Sequence, residues 1–408
     1  MGAEVKAASK GGEADQDDRK TAGFIAKNLQ PFKVSRVAHN FAFAREILKT
    51  PGVNQGRGGV TERDLENPEH VSFFFLDGER HRKRRASVAS YFTPKAVVTR
   101  YRPLMDRTMD ELIAKLQREG SGVLDEMSLQ MASNVAMEVV GLTNSDNHKL
   151  TQVIRQLMNS NPAIGKSPLY QFVHKALLGW YYKGLMMKRT MDLYKNHIVP
   201  AAEARRKEPK DDVMSYMVKE DYSMKAMIIE CMTYAGAGVS TTREFIVMAA
   251  WQLFERPELM ARFLNGDEAD QFAILEEILR LDPVANYVYR QSTIDIPSSV
   301  SGKPVTKGEV FAINIRDVNT DASVVGECPY KLDPDRAKRM KMAGAWMSFG
   351  DGPHRCPGSQ VALHESRVFL DRLLRVPGIR MAKKPELVLS VQTQGYELRG
   401  AVVACDRK

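Results

Sequence analysis

The decapeptide FGDGPHRCPG, residues 349–358, constrains the fold of this chain more than any other segment. It holds three glycines and two prolines, and it precedes a stretch with the apolar periodicity of an amphipathic helix, residues 359–375. A loop so rich in Gly and Pro must adopt backbone conformations that other residues resist. The pattern predicts that a flat or bulky group lies against this backbone and that Cys356 contacts it.

Cys356 lies just before the predicted start of that helix. The helix dipole and the free N–H groups at a helix N-terminus favour an anion, so we expect a lowered thiol pKa. A thiolate surrounded by N–H donors is a soft, electron-rich ligand for iron. For an isolated cysteine, a buried structural role is the competing interpretation, and only the surrounding pattern decides between the two.

The loop matches the pattern Phe-Gly-x-Gly-x-His-x-Cys-x-Gly at Phe349, Gly350, Gly352, His354, Cys356 and Gly358. This pattern resembles the signature loop of the cytochrome P-450 superfamily of haem-thiolate enzymes. The resemblance implies that Cys356 is the proximal iron ligand, that His354 donates to a haem propionate, and that Phe349 packs beside the sulfur. Residues 361–363 are Val-Ala-Leu where the family often has Leu-Ala-Arg, which implies altered helix packing with unchanged ligation.

Helical periodicity dominates the rest of the chain. Helices are predicted at 103–118, 122–141, 148–159 and from Ser223 to about Glu255; strands are predicted at 291–297, 307–314 and within 385–403. The sequence therefore predicts a mainly α fold with small β-sheets. The resemblance implies the cytochrome P-450 fold, with haem sandwiched between the long central helix and the Cys-loop helix.

Composition sets the remaining limits. The net charge is +9, which permits an acidic protein, a membrane surface or nucleic acid as a partner and selects none of them. The first 20 residues are polar and are predicted to be a disordered tail, followed by a single catalytic domain at 21–408. We expect a monomer with no membrane anchor and no nucleic-acid partner. Four scattered cysteines suit a reducing compartment, the cytoplasm.

A second motif, Glu277-x-x-Arg280, brings two opposite charges to one helix face. Alone it is typical of a solvated ion pair. In the family such a pair joins a later arginine to stabilise the proximal side of the haem. "LDPDR", residues 332–336, resembles that later element, so the resemblance implies a structural trio of Glu277, Arg280 and Arg336.

The haem propionates require cations in a desolvated pocket, because unpaired buried charge is costly. The resemblance implies that His81, Arg85, Arg290 and His354 supply these donors. The residues next to them, Arg82, Lys83 and Arg84, form either a solvated face or a docking face for an acidic electron donor.

The long helix carries Ala237-Gly238-Val239-Ser240-Thr241-Thr242, where the family has Ala-Gly-x-acid-Thr-Thr. The resemblance implies that Ala237 lies near the haem and that Thr241 steers protons to the oxygen bound there. Ser240 replaces the family's acid, and serine can relay a proton but cannot store one near neutral pH. Glu244, four residues further along, is a candidate substitute for the acid.

The substrate pocket is predicted from family order. The resemblance implies walls from Val284, Ala285, Asn286, Val288 and Ala237, and a lid at 157–188. In that lid region, Trp180, Tyr181 and Tyr182 either line the pocket or pack as ordinary helix residues. An apolar small-molecule substrate follows from these residue types.

The resemblance thus implies a monooxygenase that carries haem b and inserts one oxygen atom of O₂ into its substrate. Electrons would come from a ferredoxin or flavodoxin with its reductase. Ser240 keeps an alternative open, namely peroxide-driven oxygenation, oxidative coupling or nitric oxide reduction on the same haem. A non-catalytic haem-binding protein is the third possibility, against which the presence of Thr241 argues.

Overall fold

The computed structural model describes residues 17–56, 70–158, 168–390 and 393–407, with the backbone alone for 158 and 168–177. Within these ranges the α-helices, α1 to α18 in chain order, are Ala22–Asn28, Phe41–Lys49, Gly78–Val88, Pro94–Ala96, Arg102–Glu119, Leu124–Val140, Asn147–Met158, Pro168–Leu193, Val199–Lys207, Val213–Lys219, Met224–Tyr234, Thr241–Phe254, Pro257–Asn265, Glu268–Leu281, Ile315–Asn319, Ala322–Val325, Arg336–Met340 and Ser359–Leu374. The prediction of a mainly α fold is confirmed.

The described strands, β1 to β9 in chain order, are Arg36–Ala38, Val53–Gln55, Ser121–Val123, Tyr287–Ser292, Val310–Asn314, Arg380–Lys383, Glu386–Ser390, Gly395–Arg399 and Val402–Ala404. They form sheets of order β1-β5-β4-β2, β3-β9-β6 and β7-β8. The predicted pairing around residues 291–314 exists as antiparallel β4 and β5, although β4 begins four residues before the expected start. The predicted C-terminal hairpin is β7 and β8.

The long central helix consists of α11, the segment Ala235–Ser240 and α12, which follow one another without an intervening loop. Ser223 is its N-cap, as predicted, and its side chain accepts from the backbone N–H of Ala226. Between α11 and α12 the six residues Ala235–Ser240 are π-helical. A π segment inside an α-helix is rare and is frequent at functional sites, so the helix geometry itself singles out this segment.

The central helix is buried on nearly every side over α12, where residues 242–250 are all buried. It packs against α6, α14 and α18, so the Cys-loop helix lies directly against it. A helix that is apolar all round belongs in the core of a large domain. The candidate site therefore lies between elements that the core holds in place.

The N-terminal segment differs from its prediction. Residues 1–16 of the predicted disordered tail lie outside the described residues, but residues 17–20 pack against the domain. The Asp18 carboxylate accepts from Arg256 at 2.8 Å, and the Lys20 N–H donates to Asp282 at 2.9 Å. These contacts with charged partners order the segment despite its polar composition.

Candidate active site

The cysteine loop is held by its own backbone. The N–H of Cys356 donates to the carbonyl of Phe349 at 2.8 Å, which closes the loop on itself. Gly350 and Gly352 have φ values of +71° and +68°, in the left-handed region. A Cβ on Gly352 would come within 2.2 Å of the Leu48 carbonyl oxygen. Only glycine permits this conformation and this approach, which explains the sequence pattern.

The expected pKa shift of the cysteine is wrong in direction. Although Cys356 is only half-buried as a residue, burial raises the pKa of its thiol, and the Gly358 N–H, Arg85 and Arg355 oppose the rise without reversing it. Helix α18 begins three residues later, at Ser359, so the helix terminus is too remote to dominate. A metal cation bound at this sulfur would still remove the proton, because a coordinating thiol is deprotonated by the metal.

The predicted structural trio lies in contact. Arg280 forms two hydrogen bonds to the Glu277 carboxylate, at 2.7 and 2.8 Å, and Arg336 Nε donates to the same carboxylate at 3.2 Å. All three side chains are almost fully buried. The remaining guanidinium N–H groups of the two arginines donate to backbone carbonyls of residues 319–331. The trio therefore fixes the segment 319–331, which includes the short helix α16.

The trio is linked to the cysteine loop through Asn319, a contact that the sequence did not predict. Asn319 accepts from the Met347 N–H at 2.9 Å and donates to the Ser348 hydroxyl at 2.7 Å. Ser348 in turn donates to the Leu279 carbonyl at 2.9 Å. Asn319 lies 37 residues before the cysteine, and nothing in its local sequence signals this contact. The loop is thus tied to the helix that carries Glu277 and Arg280.

A cluster of basic side chains lies beside the loop. The rings of His81 and His354 stack with centroids 4.0 Å apart, and His354 Nε2 lies 3.0 Å from the Asp77 carboxylate. Burial and the neighbouring His354 and Arg85 lower the pKa of His81 to about 4. Burial likewise lowers the pKa of Arg290 to about 10, and Asp77 opposes that shift. Both shifts reflect desolvation, which leaves His81 neutral at pH 7 and Arg290 a buried cation.

The π-helical segment Ala235–Ser240 and the following Thr241 present two hydroxyls and an opening. Thr241 Oγ1 donates to the Ala237 carbonyl at 2.6 Å, and Ser240 Oγ donates to the Gly236 carbonyl. Ser240 is buried and Thr241 is half-buried, whereas Ala237 and Gly238 are exposed although they lie midway along a core helix. The exposure of these two small residues indicates a cleft against this face of the helix.

Glu244 is not placed to substitute for the missing acid. Its carboxylate accepts from the Leu398 N–H at 2.6 Å, from Arg399 at 2.8 Å and from Arg243 at 2.8 Å. Ser240, one turn away, donates instead to a backbone carbonyl. The carboxylate of Glu244 is therefore committed to joining the central helix to β8, and the contacts do not support its candidacy as a proton source.

Three buried polar groups that the sequence analysis passed over lie in or against the central helix. Glu230 Oε2 and the Tyr234 hydroxyl have no hydrogen-bond partner among the described residues, and both line a cavity of about 10 Å³. That volume suits one water molecule. On α18, Glu365 is 2% exposed, and burial raises the pKa of its carboxyl well above the usual range. The sequence offered one signal for Glu365, namely an acidic residue within the predicted apolar stripe of this helix.

The comparisons with known proteins decide the family. The family model for cytochrome P450 matches residues 19–266 and 272–384. The chain belongs to the cytochrome P450 family. It is therefore an enzyme of the haem-thiolate oxidoreductase class, and the predicted fold and enzyme class are confirmed.

Relatives and solved structures agree with this assignment. The chain is 26% identical over 360 residues to pentalenic acid synthase of Streptomyces avermitilis, covering 85% of this chain and 82% of that protein. It is 25% identical over 324 residues to vitamin D(3) 25-hydroxylase of Pseudonocardia autotrophica, covering 78% and 71%. The fold matches P450BioI in complex with an acyl carrier protein carrying hexadec-9Z-enoic acid, with a TM-score of 0.74, 20% identity and coverage of 95% and 99%.

The residues present fit the haem that the cytochrome P450 family carries. His81 Nε2 is buried without a partner among the described residues, beside the buried guanidinium of Arg290. Asp77 is the carboxylate facing both. Two cations, Arg85 and Arg290, act on His81 against the single described carboxylate of Asp77, so positive charge and His81 Nε2 remain for further anions, which two propionates supply. Cys356 offers a free sulfur at the adjoining loop.

The predicted pocket walls separate into two groups. Ala285 and Val288 are half-buried and Ala237 is exposed, so these three remain candidates for the wall. Asn286 is 1% exposed and its side chain accepts from Arg316 at 3.3 Å, which makes it a structural residue. Val284 is also buried, within the main core. Family order alone did not distinguish these two from their neighbours.

The predicted lid falls largely outside the residues whose side chains are described. Of its aromatic candidates, Trp180 is 78% and Tyr181 is 52% exposed on α8, and Tyr182 is half-buried. The two exposed rings neither line an enclosed pocket nor pack in the core, so neither of the two roles expected for them holds.

Proposed function

We propose that this protein is a cytochrome P450 monooxygenase that carries haem b and inserts one oxygen atom of O₂ into an apolar small molecule. One observation carries the proposal: a free cysteine in a glycine-closed loop adjoins a desolvated group of two arginines and two histidines that faces a single carboxylate. A structural cysteine would not need that cluster, and a cation cluster alone would not need the cysteine. We place the single catalytic domain at residues 21–408, with residues 17–20 packed against it, and four free cysteines suit the cytoplasm.

The proximal residues hold and orient the cofactor. Cys356 would ligate the iron, and His81, Arg85, Arg290 and His354 would bind the propionates, with the unpartnered His81 Nε2 gaining an acceptor or donor there. Arg85 already reaches the loop, since it donates to the Arg355 carbonyl at 2.6 Å. When bound, haem supplies activation of O₂ and transfer of one oxygen atom, which protein side chains alone cannot perform.

The oxygen-side residues manage protons. Thr241 Oγ1 now donates to a carbonyl, so its lone pairs face the cleft and accept a proton or a water hydrogen bond. Ser240 Oγ likewise donates to a backbone carbonyl, that of Gly236. Each hydroxyl must exchange its carbonyl bond for a donation into the cleft to pass a proton on. We propose that Thr241 performs this relay and that water, not Glu244, supplies the proton to it.

An acidic electron donor, a ferredoxin or flavodoxin served by a reductase, fits the exposed part of α3. Arg82 and Lys83 are exposed on this helix, next to the propionate-binding residues. Arg84 belongs to a different group, because it donates to the buried Glu230 at 2.5 Å. The docking face that we propose therefore contains Arg82 and Lys83 and excludes Arg84.

The substrate class rests on the candidate wall residues and on the relatives. Ala237, Ala285 and Val288 are small or aliphatic and would bind an apolar surface. Two relatives are named pentalenic acid synthase and vitamin D(3) 25-hydroxylase. The second name supports hydroxylation of an apolar molecule.

The test is replacement of the proposed ligand. In Cys356→His we expect loss of the thiolate signature in the spectrum of the reduced carbonyl complex, because imidazole replaces the electron-rich sulfur. Cys328→Ser is the matched control, a half-buried cysteine away from the loop. An unchanged spectrum in Cys356→His, or the same loss in the control, would rule out the assignment. Screening wild-type protein for substrate-induced spin-state changes then identifies the substrate class.

A further inference from the structure

The solvent face of α8 has an unusual composition. Trp180, Gly184 and Met187 are all exposed and are spaced four and three residues apart, so they share one face of the helix. Trp180 is 78% and Met187 is 62% exposed. Soluble proteins seldom expose large apolar side chains side by side, and such groups mark interaction sites. We call Trp180, Gly184 and Met187 the α8 stripe.

Lysines border the α8 stripe. At about 100° per residue, Lys183 lies about 70° to one side of its centre and Lys188 about 70° to the other, and both are exposed. Tyr181, 52% exposed, extends the surface beyond Lys188, and its ring packs edge-on against Trp180 with centroids 6.5 Å apart. Residues 178–191 contain no acidic side chain. The face is therefore apolar at its centre and positive at both edges.

We propose that the α8 stripe docks on the headgroup region of an anionic lipid bilayer. Trp and Tyr prefer the membrane–water interface, and lysine stems can lie along an apolar surface while their ammonium groups reach the headgroups. Protein interfaces, in contrast, are enriched in Arg and depleted in Lys, and the exposed cations of this face are both lysines. Anionic lipid provides the complementary charge.

This contact is peripheral. Within the described residues, no helix has the length and apolar character needed to cross a membrane. The inference does not depend on the proposed function, because binding to lipid is measured on the purified chain without turnover. If both hold, the surface brings the enzyme to the phase in which an apolar substrate is concentrated.

The experiment measures sedimentation with vesicles. We expect the wild-type protein to bind vesicles of phosphatidylcholine with phosphatidylglycerol and to bind far less to phosphatidylcholine alone. Trp180→Ser/Met187→Ser should reduce binding at least about tenfold, whereas Val98→Ser/Val300→Ser, two valines of comparable exposure, should not change it. Lys183→Gln/Lys188→Gln should weaken binding roughly thirtyfold, and Lys27→Gln/Lys33→Gln, also exposed, much less.

Tryptophan fluorescence gives an independent measurement. The chain has three tryptophans; Trp346 is buried and Trp251 half-buried, so Trp180 is the one that can enter lipid. We expect a blue shift with anionic vesicles in the wild type and none in Trp180→Phe. Protein that stays in the supernatant with both vesicle types, variants that bind like the wild type, or a stripe that drives self-association instead would each overturn the proposal.

Discussion

The network around Glu277 and the cavity beside α11 differ in how completely their polar groups are paired. In the network, the Glu277 carboxylate accepts from two buried arginines, and those arginines also donate to nearby carbonyls. At the cavity, Glu230 Oε2 and the Tyr234 hydroxyl are buried without partners among the described residues. The first region is therefore closely paired, whereas the second keeps hydrogen-bonding capacity for a water molecule.

The largest effect should come from breaking the pairing on the proximal side. Glu277→Gln leaves two buried guanidinium groups without their counter-charge, so we expect a loss of about 3–5 kcal/mol in the free energy of unfolding. The measurement is urea unfolding of the haem-loaded protein. Glu386→Gln, which removes the partner of Lys383 in an exposed pair, is the control and should cause no measurable change.

If Glu277→Gln proved as harmless as the control, the proximal network would not be the rigid support described here. The Glu277 network and the cavity beside α11 would then differ in their hydrogen bonds but not in what those bonds contribute to the free energy of unfolding.

Glu365 on α18 is a further buried polar group without a full set of partners, and it can be tested through pH. Burial raises the pKa of its carboxyl, and no cation among the described residues opposes the rise. The folded protein therefore keeps this proton at pH values where the unfolded chain has lost it, and stability falls as pH rises above the ordinary value of 4.5. The slope from this group is at most about 1.4 kcal/mol per pH unit.

Glu365→Gln should remove that slope. The stability of the variant relative to wild type is expected to increase with pH from about pH 5 upward, measured by chemical unfolding at several pH values. Glu111→Gln, at an exposed position of α5, should leave the pH dependence as it is. A pH-independent difference between wild type and Glu365→Gln would mean that Glu365 is ionised in the folded protein.

The smallest effect concerns proton delivery. Thr241→Ala should raise peroxide release per electron consumed by severalfold, because the hydroxyl facing the cleft is lost. This ratio corresponds to a free-energy difference on the order of 1 kcal/mol between peroxide release and productive turnover. Thr233→Ala is a closely matched control, since Thr233 Oγ1 also donates to the carbonyl four residues earlier, at 2.8 Å, on the same helix. Equal peroxide release from both variants would show that protons arrive by another path.

The sequence predicted the proximal side well, because its geometry depends on residues that have few substitutes. A positive φ at Gly350 and the close approach at Gly352 leave a recognisable pattern, and the i, i+3 spacing of Glu277 and Arg280 follows from helix geometry. The N-cap at Ser223 and the C-terminal hairpin were predictable for the same reason. Each is decided by local chemistry within a few residues.

Contacts between distant segments could not be predicted. The role of Glu244 depends on Leu398 and Arg399, more than 150 residues away, and the burial of Asn286 depends on Arg316. The predicted direction of the Cys356 pKa shift was wrong, because the sequence indicates a nearby helix terminus but does not reveal burial. Burial outweighs the helix dipole here, and it is known only from the packed structure. The exposure of Trp180 is likewise decided by what packs against α8 and by nothing in its own sequence.

The π-helical turn at Ala235–Ser240 confines an extra residue to one turn of the central helix. Its wider bonding accommodates one residue more than an α-helical turn does. Deleting a single residue there would therefore allow ordinary α-helical bonding while Glu230 and Tyr234 keep nearly their present direction relative to Thr241. The change would be local, in the segment that carries Ser240 and leads into Thr241, so this turn can differ in length without altering what the two halves of the helix pack against.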